Sequence, residues 1–409
     1  MLRGAGNLFW LRYTGNMHLD IAAVQSALAV DGLDGWLLYD FHGSNPVAAA
    51  LAGLAGTGKL TTRRWYYMIP AKGKPRKLVH AIESHNLDKL PGEKLVYAGR
   101  EALAAGLDTL LSGTRRLAME YSPQGAIPYV ARVDAGTIES IRERGVDVVS
   151  SGDLVQRFEA CWDADAIATH HDASERLYRV KDRAFAALAE RLRRGTPTTE
   201  YDIQQLMAGW IRDEGMLSDS APVVAVDAHA GDPHYQPGPE GSWPVGRDAL
   251  VLLDLWAKLA KPGAVYADIT WVGFTGSRVP EEQAAAFAAV ARARDTAATT
   301  AQDAAAAGAD LRGWQVDRAA RSVLQQAGYG NHILHRTGHS LGEEVHGNGV
   351  HMDDYETHDD RRLLPGSGFT IEPGLYFDGF GVRTEINMVY GSGSATVTGP
   401  AQAAIVPLF

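Results

Sequence analysis

Cysteine is nearly absent from this chain: Cys161 is the only one in 409 residues. That excludes an internal disulfide and fits a reducing compartment, so a cytoplasmic protein is expected. No apolar run reaches the roughly 18 residues needed to span a bilayer. The start has only the short apolar patch at residues 8–11, which is not the pattern of a signal peptide. Positive charge is in deficit, with 39 Lys and Arg against 49 Asp and Glu and a net charge of -10. A nucleic-acid binder needs basic stripes, so that class is set aside. What remains is a globular composition, 45% hydrophobic and 22% charged, in a chain long enough for two domains.

Residues 1–16 read as an N-terminal arm or extension. From residue 17 to about 155, helical and strand patterns alternate. Residues 19–30 are amphipathic, and 35–40, 65–70 and 77–81 read as strands. Helices are expected at about 99–112 and 126–144, with strands near Leu117 and Val146. This predicts a smaller α/β domain. It contains no glycine-rich phosphate loop and no nucleophile elbow. Asp40-Phe-His42 closes a strand, a position where functional loops often lie. Residues 152–171 read as a linker and the solvated start of a long helix ending near Arg194, which would leave His170 and His171 exposed.

Beyond residue 156 the chain repeats its own punctuation. Gly195 to Gly215 and Gly308 to Gly328 are offset by 113 at both ends. Each copy follows an Ala-rich helix (about 172–194 and 280–307) and precedes a β region. Two α-plus-β halves related by a pseudo-two-fold axis are the expected architecture for 156–409.

Each half holds a pair of acids about a turn. Glu372 and Glu385 are symmetric about Asp378-Gly379, a strong two-residue hairpin signal. Asp254 and Asp268 are symmetric about the Lys261-Pro-Gly263 turn, so they too are expected to face each other. Six of the fourteen histidines (332, 335, 339, 346, 351 and 358) fall within residues 332–358, where an even spread would put about one; this stretch is expected on strands. Facing carboxylates repel unless a cation lies between them. Asp254, Asp268, His339, Glu372 and Glu385 therefore form a candidate ligand set, hard and oxygen-rich, suited to Mn²⁺ and workable for Co²⁺ or Zn²⁺. Four carboxylates balance two divalent ions, and paired ions about 3.5–4 Å apart hold hydroxide and clamp an oxyanion. A buried core of paired acids is disfavoured because Arg383 is the one interleaved cation.

Thr370-Ile-Glu-Pro-Gly-Leu-Tyr376, Val382-Arg-Thr-Glu385 and the order Asp, Asp, His, Glu, Glu resemble the pita-bread metallopeptidases, in particular the prolidase and aminopeptidase P branch. The resemblance runs from about residue 160 to the end. It implies an α+β pita-bread (creatinase/aminopeptidase-type) catalytic domain after the α/β domain. It also implies that Asp254 binds one metal, that His339 and Glu372 bind the other, and that Asp268 and Glu385 bridge. His234, His335 and His346 match the family's supporting histidines, and Arg383 its arginine before the last ligand. The two aspartates lie 14 apart, a few more than is usual. His358 stands where prolidases carry a carboxylate-binding arginine, with Arg361 and Arg362 just beyond.

The activity this implies is hydrolysis of the Xaa-Pro bond, preferentially in dipeptides. Glu372 would shuttle the proton, His346 would hold the oxyanion, and His234 and His335 would position the substrate and leaving group. Arg383 would orient Glu385. Substrate contacts are expected from His358, Tyr376, Asp40 and His42, with Trp65 and Tyr66 as further walls unless they are core. A homodimer is implied, in which the loop at residues 40–45 reaches the partner's site. The rival readings are an aminopeptidase P on longer peptides and a non-catalytic peptide-binding module.

Overall fold

The computed structural model describes residues 19–409; the expected arm at 1–16 lies outside them. The chain divides into two compact units, one ending at Glu159 and one starting at Ala160. In the first unit, strands β1 (Gly35–Asp40), β2 (Trp65–Pro70), β3 (Arg76–His80), β4 (Glu93–Tyr97), β5 (Arg116–Met119) and β6 (Asp147–Ser150) form one sheet. Their order is β4-β3-β2-β1-β5-β6. Its helices are α1 (Ile21–Val30), α2 (Pro46–Leu51), α3 (Arg100–Leu110), α4 (Ala135–Arg142) and α5 (Gly152–Val155). Alternation along β1 sends Trp36 and Leu38 into one apolar layer and Leu37 and Tyr39 into the other. Both faces are covered, so every residue of β1 is buried. Trp65 and Tyr66 belong to these two layers and are core.

The helix expected over 126–144 is shorter. Pro123 and Pro128 start single turns, and α4 begins after Asp134, whose carboxylate caps the Thr137 amide at 2.9 Å. Proline has no N–H to continue a helix, which is why the pattern breaks there.

The second unit opens with α6 (Ala164–Arg194) and α7 (Glu200–Asp213). Asp163 caps α6 at the Ala166 amide, so the helix starts eight residues before the expected 172 and contains both histidines. His170 is then buried rather than solvated, which corrects the sequence reading. Strands β7 (Met216–Leu217), β8 (Val223–Val226), β9 (Leu250–Leu259) and β10 (Ala267–Phe274) follow, then α8 (Glu281–Ala307) and α9 (Gly313–Gln326). The bounds of α7 and α9 differ by 113 at both ends. Gly195 and Gly308 both terminate a helix at left-handed φ, 67° and 62°, which glycine adopts without a Cβ clash. The repeat is therefore structural as well as textual.

The chain closes with β11 (Ser367–Ile371), β12 (Gly374–Tyr376), β13 (Gly381–Arg383), β14 (Ile386–Tyr390), β15 (Ala395–Val397) and β16 (Val406–Pro407). The β9–β10 hairpin packs with α6 and α7 in one core. The stripe Ala286, Ala289, Ala293, Ala297, Ala301 and Ala305 of α8 packs on the β11–β14 region in another. Among the described residues, no helix is long and apolar enough to cross a membrane.

Candidate metal centre

Two hairpins position the acids. In the second, Gly374 pairs with Arg383 and Ile371 with Ile386, one unbroken register on both sides of Glu372 and Glu385. The Pro373-Gly374 step does not shift it. In the first hairpin the expected register is off by two: Thr270, not Asp268, lies opposite Asp254, and Asp268 faces Trp256. The cause lies at the turn. Residues 264–266 leave the ladder, where the Val265 amide donates to Thr169 and the Tyr266 amide to the Gly342 carbonyl. A shift of two preserves the face, so both aspartates still point the same way, as diagonal neighbours.

The histidines are not on strands. Residues 335–352 form an irregular segment pinned by single bridges, Gly338 to Met352 and Ser340 to Phe369. A Cβ on Gly338 would lie 2.0 Å from the Thr370 carbonyl oxygen, so glycine permits the close approach. The Thr370 hydroxyl accepts from the His339 amide at 3.0 Å, and His339 is thereby set against the first glutamate.

The five candidate ligands converge. His339 Nε2 is 3.4 Å from Glu372 Oε1 and 3.6 Å from Asp268 Oδ2. Asp268, His339 and Glu385 each offer a ligand atom within 4.8 Å of the others. Arg383 donates to Asp254 Oδ2 at 2.5 Å, to the Tyr376 hydroxyl at 2.9 Å and to the Thr270 hydroxyl at 3.2 Å. Thr270 in turn donates to Glu385 Oε2 at 2.9 Å. Arg383 thus touches Asp254 directly and reaches Glu385 through Thr270.

The electrostatics fit a cation site. Burial first, then the neighbouring carboxylates, hold the Asp268 and Glu385 carboxyls well above their usual range. Burial likewise raises Asp254 against the pull of Arg383, and pushes Glu372 up to about 7. Asp268 Oδ1 and Glu385 Oε1 are buried with no hydrogen-bond partner. Buried acceptors are rarely left without one, and a bound cation would satisfy both. The residues present therefore fit the divalent ions expected from the sequence.

The supporting residues separate into groups. The His346 ring lies 4.2 Å from the His339 ring, tilted by 60°, and burial lowers its pKa to about 4. His335 meets the Arg336 carbonyl through Nδ1 at 2.6 Å, so that nitrogen carries the proton; Nε2 then accepts from the Tyr376 hydroxyl at 2.6 Å. Burial pushes His335 down to about 3, consistent with a neutral ring. Tyr376 is therefore a buried clamp between Arg383 and His335. His234 is exposed, and its amide donates to Asp232 Oδ1 at 2.9 Å.

The other expected substrate contacts have partners of their own. His358 is 53% exposed, bonded to Asp354 at 2.6 Å and stacked on Trp314 of α9. Arg361 is held by Asp359 at 2.6 Å. Asp40 is buried and accepts from the Gly43 and Asn45 amides, shaping its own loop, while His42 is exposed at φ 60°. Three residues at the centre have no expectation behind them. Thr270 links Arg383 to Glu385, Asn387 accepts from the Asp268 amide at 3.0 Å, and buried Arg336 acts on His339, His346 and Glu372. Thr270 was open to inference, since it shares the strand face of Asp268 two residues away.

Residues 173–391 match the model of metallopeptidase family M24. The chain belongs to the M24 family. A probable dipeptidase PepE from Mycobacterium tuberculosis is 30% identical over 244 residues, 59% of this chain and 60% of the relative. The chain thus aligns with about three-fifths of that protein. An Xaa-Pro dipeptidase from Lactobacillus delbrueckii subsp. lactis is 42% identical over 89 residues, 21% of this chain and 23% of the relative. Among solved structures, dipeptidase PepE from Mycobacterium ulcerans has a TM-score of 0.67 at 22% identity, covering 95% of this chain and 96% of that one. Prolidase from Pyrococcus horikoshii has 0.59 at 19%, covering 93% and 98%. The M24 pita-bread fold, preceded by a smaller α/β unit, is the fold of this chain.

Proposed function

We propose that this M24 protein is a metal-dependent dipeptidase that prefers the Xaa-Pro bond and works with two divalent ions, Mn²⁺ before Co²⁺ or Zn²⁺. One observation carries the reading: Asp268, His339 and Glu385 cluster in a buried site, with Glu372 against His339 and Asp254 on Arg383, and there Asp268 Oδ1 and Glu385 Oε1 meet no donor. Asp254 would hold one ion, His339 and Glu372 the other, and Asp268 and Glu385 both. Bound there, the ions would supply Lewis acidity and acidify water to near neutrality.

The chain's own residues do the rest. Glu372, 3.4 Å from His339 Nε2 at the centre, would carry the proton from the attacking water to the leaving nitrogen. His346, beside His339, would donate to the developing oxyanion. His335 would act through Tyr376, holding that hydroxyl at the edge of the site, and His234 would meet the substrate at the mouth. Arg383 would keep Asp254 oriented and, through Thr270, Glu385. An Xaa-Pro bond has no N–H, so recognition must come from such side chains and from a shaped pocket.

The dipeptide preference is supported by the names of the relatives above, and the single cysteine supports a cytoplasmic setting. We further propose a homodimer, with the His42 loop contributed to the partner's site. The test is a panel of Xaa-Pro, Xaa-Pro-Yaa and proline-free dipeptides on protein reconstituted with each metal. Highest kcat/KM on Xaa-Pro, lost to chelator, is expected. Faster cleavage of tripeptides would move the assignment to an aminopeptidase, and full activity in metal-free protein would reject it.

A further inference from the structure

The strand that carries Asp254 places Trp256 on the same face, two residues on. Trp256 lies opposite Asp268 in the ladder, so its indole starts beside the candidate ligands. The indole is part-buried and its N–H donates to Asp219 Oδ1 at 2.8 Å. Asp219 is an exposed residue just after β7, and the Ser220 hydroxyl donates to the same oxygen at 3.2 Å. No hydrogen bond reaches its Oδ2 from the described residues. Lys258, next on the same strand face, donates to the Glu343 carbonyl at 2.6 Å.

An aromatic plane thus runs from the metal centre to a fixed, open carboxylate. We propose that Trp256 and Asp219 form a subsite for a lysine or arginine side chain on the substrate residue that precedes the scissile bond. This rests on the hydrolase reading given above. The substrate's α-ammonium is two bonds from the scissile carbonyl carbon and stays beside the metal ligands. Only a long side chain spans the indole. Its aliphatic stem would lie along the ring, with the cation meeting both the π face and Asp219 Oδ2. The longer spacing between the two aspartates takes part, because residues 264–266 leave the ladder and put Trp256, rather than Asp254, opposite Asp268.

The experiment compares Lys-Pro with Ala-Pro on the Mn²⁺-loaded enzyme, wild type and Asp219→Asn. The readouts are kcat/KM and calorimetric binding of the uncleavable reduced-amide analogues. The Asn variant retains an acceptor for the indole and removes only the charge. The lysyl-to-alanyl ratio is expected to fall about fivefold in both readouts, as for one partly screened ion pair, and to shrink with added salt. An unchanged ratio overturns the subsite. Equal losses on both substrates put the α-ammonium at Asp219 and overturn the side-chain assignment. If no dipeptide is cleaved but the binding ratio still falls, the hydrolase reading fails and the subsite stands.

Discussion

Asp268 concentrates the chemistry of the centre in one side chain. It is buried, Oδ1 has no donor, and Glu385, Asp254 and Glu372 all oppose its charge. In metal-free protein that charge is a liability, so Asp268→Asn is expected to raise metal-free stability by about 1–2 kcal/mol. Mn²⁺ is expected to raise the melting temperature of wild type, and the same change should abolish that gain. Thermal unfolding with and without metal checks both; a destabilised variant that still responds to metal would reject the assignment. His170 is a second residue with a readable sign. Its Nδ1 faces the Tyr266 carbonyl at 2.8 Å and Nε2 the Thr398 hydroxyl at 2.7 Å, and burial lowers its pKa from 6.5 to about 4. The unfolded chain therefore binds a proton that the folded chain does not. Stability is expected to be lost as pH falls from about 6.5 to about 4, by roughly 3 kcal/mol at most. His170→Asn should flatten that slope in denaturant titrations at several pH values.

At the scale of elements, the two hairpins differ in how local their determinants are. The Asp378-Gly379 loop sets the β12–β13 register by itself, and β11–β14 beyond Pro373 keeps the same register. The β9–β10 turn does not, because Thr169 and Gly342, far away in sequence, draw residues 265 and 266 out of the ladder. Pattern alone could place both aspartates on one face but could not name their partners. The histidine segment depends still more on packing. Gly338→Ala would drive a methyl into the Thr370 carbonyl. It is expected to cost about 2–3 kcal/mol and to displace His339, lowering metal affinity more than a surface mutation of equal cost. Urea unfolding together with a metal titration separates the two effects.

For the whole molecule, the proposed metal ligands all belong to the second unit. Ligand binding to the native state adds stability by mass action. Adding Mn²⁺ to stripped protein should therefore raise amide-exchange protection around Asp268, His339 and Glu385. Residues 35–40 and 65–70 of the first unit should change little. Equal protection throughout would show that the centre does not act on the second unit alone. The proposed assembly is tested by sedimentation equilibrium, where twice the chain mass is expected. A monomer with full activity would remove the partner-loop proposal.

The residue order alone determined the four acids and one histidine that meet, the register of the hairpin carrying Glu372 and Glu385, the 113-residue repeat and the alternating first unit. These rest on short-range physics: strand period, turn chemistry, helix caps and the repulsion of clustered charge. Only the tertiary structure decided that Arg383 holds Asp254, that Thr270 bridges to Glu385, that His170 is core, and that His358 sits on Trp314. Those contacts join residues such as 254 and 383, or 170 and 398, far apart in sequence. Which polar group meets which across such distances is set by how the helices and hairpins pack, and a local pattern carries no record of it.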